Sequence, residues 1–227
     1  SDGGSTWSDI TGATTASLSF TATSADNGSS YRAVFTNFAG SAATAAAPLT
    51  VTSAAPTLSD TPAAGPAGTK VTLSGQGFPP TASVSIRLGS ATGQLLATTA
   101  ASTSGALTAH LTFPAATLGA HPLVAVTSGT VAATTTFTVQ AHLTVSPAKI
   151  APKATSKATI TGFNSRQAVT LRLGSATGRK LAGLTTSTAG SGTATITIPA
   201  ATKPGTYKIY AIGSNGKPTT TATITVT

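Results

Sequence analysis

Ile86-Arg87-Leu88-Gly89-Ser90-Ala91-Thr92-Gly93 returns 85 positions later as Leu171-Arg172-Leu173-Gly174-Ser175-Ala176-Thr177-Gly178. Other blocks keep the same offset: Gly77-Phe78 becomes Gly162-Phe163, and Pro114-Ala115-Ala116-Thr117 becomes Pro199-Ala200-Ala201-Thr202. After one inserted residue, Gly119-Ala120-His121-Pro122-Leu123 aligns with Gly205-Thr206-Tyr207-Lys208-Ile209. Four blocks in one order mark two homologous modules, roughly 53–140 and 141–227.

Within each module the apolar period is two, the rhythm of a half-buried strand. Val84, Ile86 and Leu88 alternate with Ser85 and Arg87, and Val169, Leu171 and Leu173 alternate with Thr170 and Arg172. Leu107, Ala109, Leu111 and Phe113 alternate with Thr108, His110 and Thr112; Ala194, Ile196 and Ile198 repeat that face against Thr193, Thr195 and Thr197. The modules close on Phe137-Thr138-Val139 and Ile224-Thr225-Val226. About seven short strands per module, divided by turns, predict tandem antiparallel β-sandwiches arranged as beads on a string. Short Ala/Pro linkers are expected around residues 52–56 and 139–142.

Composition supports an all-β chain. Of the 227 residues only 7% are charged, threonine makes up about a fifth, and 23 Gly with 13 Pro punctuate the sequence. Threonine and valine favour strands, and frequent Gly and Pro break helices. No apolar run reaches the roughly 18 residues of a membrane span. The chain has no Cys, hence no disulfides. Its only acids are Asp2, Asp9, Asp26 and Asp60, so residues 61–227 hold no side-chain carboxylate. That removes paired-carboxylate glycosidase chemistry, EF-hand-type calcium binding and a Ser-His-Asp relay from most of the chain. Three histidines, His110, His121 and His142, are too few and too scattered for a zinc centre. Neither catalysis nor a cofactor nor a metal is expected.

The charge is lopsided. Residues 1–140 carry Arg32, Lys70 and Arg87 against four aspartates, while residues 141–227 carry ten cations and no acid. A strongly basic segment points to an anionic neighbour such as an acidic glycan, or simply to a solubilising surface. Nucleic acid is not expected, because base-stacking aromatics do not interleave with the cations. Arg87 and Arg172 share one outward position, and Arg179 and Lys180 follow in the next loop. These four are the candidate anionic-polymer contacts, the alternative for the two repeated arginines being protection of a sheet edge. The glycine-bearing loop 174–180 is not a phosphate loop, since it lacks the Gly-Lys-Ser/Thr order and a following helix. His121 takes the place of Tyr207 and reads as structural, hydrogen-bonding a nearby turn. His110 sits on a threonine face, His142 at the module junction, and Tyr210 is the aromatic expected on a wet face of the last repeat. Asn27-Gly28-Ser29 fits the N-glycosylation pattern. No Lys–Asn isopeptide is expected, because the middle module offers Lys70 and Asp60 without an asparagine.

Residues 1–52 read differently. Leu18 and Phe20 alternate as a strand, Asp26-Asn27-Gly28 turns into Tyr31-Arg32-Ala33-Val34-Phe35-Thr36-Asn37, Asn37-Phe38-Ala39-Gly40 turns again, and Leu49-Thr50-Val51 closes a last strand. This stretch resembles the C-terminal half of an immunoglobulin-like (Ig-like) domain of bacterial surface proteins. The resemblance implies a tyrosine corner at Tyr31, with Ala33 where many relatives carry a disulfide cysteine. It also makes Gly3-Gly4-Ser5-Thr6-Trp7 the hairpin after the core-Trp strand. A half sandwich exposes an apolar face and an unpaired edge. The sequence is therefore expected to be a fragment cut from inside such a domain; the alternative is completion of the first module by another chain through strand addition.

The later modules resemble a related bacterial Ig-like repeat in Gly68-Thr69-Lys70-Val71-Thr72-Leu73-Ser74-Gly75-Gln76-Gly77-Phe78 and Pro204-Gly205-Thr206-Tyr207. Such repeats stand in strings on adhesins and cell-wall proteins and behind the catalytic domains of secreted hydrolases. The resemblance implies a structural stalk or filament segment of a secreted or surface-displayed protein, with self-association along sheet edges as one mode of assembly. The alternatives are a binding module for anionic cell-wall or extracellular polysaccharide, and an accessory region of a secreted enzyme.

Overall fold

The computed structural model describes residues 6–52, 54–214, 216 and 218–227. Residues 3–5 of the expected hairpin, and Lys217, lie outside that set. The chain divides into two compact units, residues 1–54 and 55–227.

The first unit holds a short 3-10 turn, Ser24–Asp26, and two small ladders. Strand β1 (Ser30–Tyr31) pairs with β4 (Ala47–Pro48), and β2 (Val34–Asn37) pairs with β3 (Gly40–Ala43). The expected turns are present: Gly28 takes a φ of 81°, and Asn37 Oδ1 accepts the Ala39 N–H at 2.8 Å. Thr23 donates its N–H and its hydroxyl to the Asp26 carboxylate, which holds that carboxyl below its ordinary range. Two expectations fail. Residues 17–20 are not a strand, because the stretch finds no neighbouring strand to ladder with, and the last strand ends at Pro48, after which Leu49 still exchanges backbone bonds with Gly28 and Ser29 at 3.0 and 2.7 Å. Nor does Tyr31 form a corner: its ring lies 5.2 Å from Phe20, and its hydroxyl bonds nothing among the described residues. Leu18, Phe20, Val34, Phe35 and Phe38 are all exposed, while Arg32 sits 4.2 Å over the Trp7 ring.

The second unit contains two sandwiches of the same design. In the first, β5 (Thr57–Thr61), β7 (Lys70–Gln76) and β10 (Leu107–Thr112) form a three-stranded sheet in the order β10-β7-β5. Facing it are β6 (Ala64–Gly65), β8 (Ser83–Leu88), β9 (Leu95–Ala100), β11 (Gly119–Thr127) and β12 (Thr130–Val139), ordered β6-β12-β11-β8-β9. The second sandwich repeats this as β13 (His142–Ser146), β15 (Thr155–Thr161) and β18 (Gly192–Thr197) against β14 (Lys149–Ile150), β16 (Ala168–Leu173), β17 (Lys180–Thr185), β19 (Gly205–Gly213) and β20 (Pro218–Val226). Three strands packed on five, with the opening strand divided between the sheets, is an Ig-like sandwich. The fold is all-β.

The division of the opening strand is a departure from a purely antiparallel reading. Pro62 and Pro147, one repeat offset apart, follow β5 and β13 directly; proline has no N–H to give a ladder, so the chain leaves one sheet and joins the other. There β6 runs parallel to β12, and β14 parallel to β20. Thr138 and Gln140 donate to Ala63 and Gly65 carbonyls at 2.9 Å each, and Thr225 and Thr227 to Ala148 and Ile150 at 2.7 and 3.1 Å.

Each sandwich has its own core. Leu73, Ile86, Phe113, Leu123 and Phe137 fill the first, and Ile160, Phe163, Leu171, Ile196, Ile209 and Ile224 the second. Each such side chain contributes roughly 1.5–3 kcal/mol by leaving water. Only Gln140 and Ala141 separate β12 from β13, and the Leu118 N–H reaches across the junction to the Phe163 carbonyl at 3.1 Å. His142, at the same junction, is exposed rather than packed into it.

One polar pair interrupts the first core. Asp60 accepts the Thr135 hydroxyl at 2.6 Å, but its second oxygen is buried without a partner. By repeat offset and strand register, Val145 and Ala222 stand there in the second sandwich, both packed on its core. A carboxylate oxygen without a hydrogen bond costs about 1–3 kcal/mol. The double variant Asp60→Val/Thr135→Ala is therefore expected to stabilise the first sandwich by about 1–3 kcal/mol, read as a higher urea midpoint at unchanged slope. Asp60→Val alone, leaving a threonine hydroxyl unbonded, should gain less.

Candidate binding face

The repeated arginine is held by its own hairpin. Arg87 Nη1 donates to the Gly93 carbonyl at 2.9 Å, and Arg172 Nη1 to Gly178 at 2.8 Å, each across the turn joining its strand to the next. In both repeats the ladder shifts register beside the arginine, between Ile86 and Arg87 and between Leu171 and Arg172. The shift aims the side chain along the hairpin. Strands β8 and β16 lie second from the edge, so these arginines do not shield a sheet edge. The remaining guanidinium N–H groups of Arg172 meet no acceptor among the described residues.

What surrounds the arginine differs between repeats. On the outer face of the second five-stranded sheet, Arg172 is the direct partner of Lys180 on one side and Tyr210 on the other, and Tyr210 of Thr221. Lys208 lies two residues before Tyr210 on β19, opposite Thr223, and Lys149 on β14 pairs with Thr225. The counterparts in the first sandwich are Leu95 for Lys180, Val124 for Tyr210, Pro122 for Lys208 and Ala64 for Lys149. Lys180 Nζ lies 3.5 Å from the point a Gly183 Cβ would occupy, so the ammonium rests along this outer face over a residue without a side chain.

Of the four candidate contacts, Arg172 and Lys180 are thus brought together. Arg179 projects from the adjoining hairpin loop and is exposed. Arg87 stands alone among apolar neighbours on the other sandwich. Lys149, Lys208 and the placement of Tyr210 beside Arg172 were missed by motif reading. Their signal was the repeat comparison itself, in which apolar positions of one module turn cationic in the other.

Two of the histidines hydrogen-bond neighbouring groups. His121 Nε2 lies 2.7 Å from the Thr117 carbonyl, and since a carbonyl oxygen only accepts, that nitrogen carries the proton. Tyr207, its counterpart, donates its hydroxyl to the Lys203 carbonyl at 2.9 Å. His110 Nδ1 is 3.1 Å from the Thr72 hydroxyl, in an open groove of about 550 Å³ lined also by Lys70 and Thr112. Asn27 Oδ1 accepts the Val51 N–H at 2.9 Å. Among the described residues no helix is long and apolar enough to cross a membrane.

No family model matches the chain. A stretch of 57 residues is 49% identical to endoglucanase C of Cellulomonas fimi, covering 25% of this chain and 5% of that protein. Among solved structures, a tetra-tandem repeat in the extending region of a large adhesion protein is 18% identical with a TM-score of 0.38, over 86% of this chain and 54% of that one. The adhesin InvE of Yersinia pseudotuberculosis is 15% identical with a TM-score of 0.34, over 75% and 58%. Invasin, a bacterial integrin-binding protein, is 16% identical with a TM-score of 0.32, over 76% and 39%. The chain thus spans a twentieth of the curated relative and about half of the first two structures.

Proposed function

We propose that this chain is a non-catalytic, load-bearing spacer of a secreted or surface-displayed bacterial protein. The observation that carries this reading is the parallel pairing of opening and closing strands in both sandwiches. Parallel end strands make the chain come in at one end of a sandwich and leave at the other. Tension along the chain therefore slides β6 against β12, and β14 against β20. Their hydrogen bonds are loaded together in shear instead of opening one at a time. The two-residue connection and the Leu118–Phe163 bond support transmission from one sandwich to the next. A spacer beside a catalytic domain would do the same work, and the local likeness to endoglucanase C favours that placement.

Single-molecule stretching tests this. Each sandwich should release in one step of about 25 nm, the contour of its residues at about 3.5 Å each less the folded length. Thr227→Pro removes the donor of one β14–β20 bond without touching the core, and should lower the force of one step only. Gradual lengthening, or two steps indifferent to the substitution, would exclude a shear clamp.

A further inference from the structure

We infer that the outer face of the second five-stranded sheet binds a linear acidic polysaccharide along a diagonal formed by Lys149, Lys208, Arg172 and Lys180, with Tyr210 beside it. Strand spacing of about 4.8 Å and about 6.8 Å per two residues give this diagonal a length of about 23 Å. The Cα atoms of neighbouring cationic residues along it, from Lys149 to Lys180, are about 12, 8 and 5 Å apart on the same spacings.

Three observations carry the assignment. First, residues 61–227 contain no side-chain carboxylate, so these cations have no partner within their own sandwich. Arg172 and Lys180 are direct ladder partners, two cations on adjacent strands. Second, the charge is placed, not scattered. Around an arginine common to both repeats, three lysines and a tyrosine replace Ala64, Leu95, Pro122 and Val124 at matching register, and glycine stands at 183 where the first repeat has Thr98. Third, the rest of the face suits sugar. Thr170, Thr206, Thr221, Thr223 and Thr225 offer hydroxyls between the cations, and the half-buried Tyr210 presents a ring to the apolar face of a pyranose. The free N–H groups of Arg172 match a carboxylate in a forked pair. A nucleic-acid strand would require several stacking rings, and this face has one.

The test uses the full chain and a defined oligogalacturonate, titrated at rising NaCl. Binding should be present at low salt and weaken steadily as salt rises. The variant Lys149→Gln/Lys180→Gln/Lys208→Gln should bind about tenfold weaker or worse, each exposed pair contributing a few-fold. The variant Lys153→Gln/Lys157→Gln/Lys203→Gln removes the same charge elsewhere on the sandwich and should lose less than about twofold. Tyr210→Ser should weaken binding without changing its salt slope. Equal losses in the two triple variants would overturn the proposal, as would no binding by the unaltered chain. Tighter capture of a single-stranded oligonucleotide or of phosphatidylglycerol vesicles would also overturn it.

Discussion

Phe163→Ala is expected to destabilise the second sandwich by about 3–5 kcal/mol, the cost of deleting a fully buried ring and leaving a cavity. The ring is 0% exposed, and the other buried residues of its core are smaller aliphatic side chains, with Tyr207 packed only partly against them. Domains of this size are stable by only about 5–15 kcal/mol, so much of the margin goes. Hydrogen exchange should report the loss at Leu171 and Ile209 amides and leave Ile86 and Leu123 in the first sandwich near their original protection. A loss below about 1 kcal/mol would mean that the ring is not a central packing element.

The second large effect lies at Gly190. It has a φ of 70°, and a Cβ there would stand 1.9 Å from the Phe163 carbonyl oxygen. Neither atom is free to retreat: Phe163 N–H donates to the Gly190 carbonyl at 3.0 Å, and Gly190 N–H to Ser187 at 3.0 Å. Gly190→Ala adds about 1–2 kcal/mol for a left-handed alanine and about 1–3 kcal/mol for the backbone hydrogen bonds it must distort. Gly174 supplies the control, because its φ is 82° but nothing lies within 4 Å of its Cβ position. Gly174→Ala should therefore cost only the conformational part, about 1–2 kcal/mol. Thermal melts of the two variants separate contact from conformation; equal shifts would show that the Phe163 carbonyl yields.

The period-two pattern was sufficient for the sandwiches because it records burial on one side of a strand, and both modules have a second sheet to bury against. It could not assign the sheet change at Pro62 and Pro147, where the side-chain alternation continues while the hydrogen-bond partner switches. The same logic explains residues 17–20. Leu18 and Phe20 alternate as a strand would, yet alternation supplies no ladder partner, and none is formed there. For the binding face, sequence order hid the site. Lys149 and Lys180 are 31 positions apart in the chain, and only strand order and register set them on one diagonal. Arg87 shows the converse, since a motif shared with Arg172 proved to be a hairpin brace in both repeats rather than a marker of where charge accumulates.

Because each sandwich receives the polypeptide at one pole and returns it at the other, a copied stretch of the gene can be spliced in without redesigning any connection. Length becomes a matter of copy number, and each copy is free to drift on its outward surface while its interior stays fixed. Lys180 and Lys208, where the other repeat has Leu95 and Pro122, show two copies that differ outside around a shared interior.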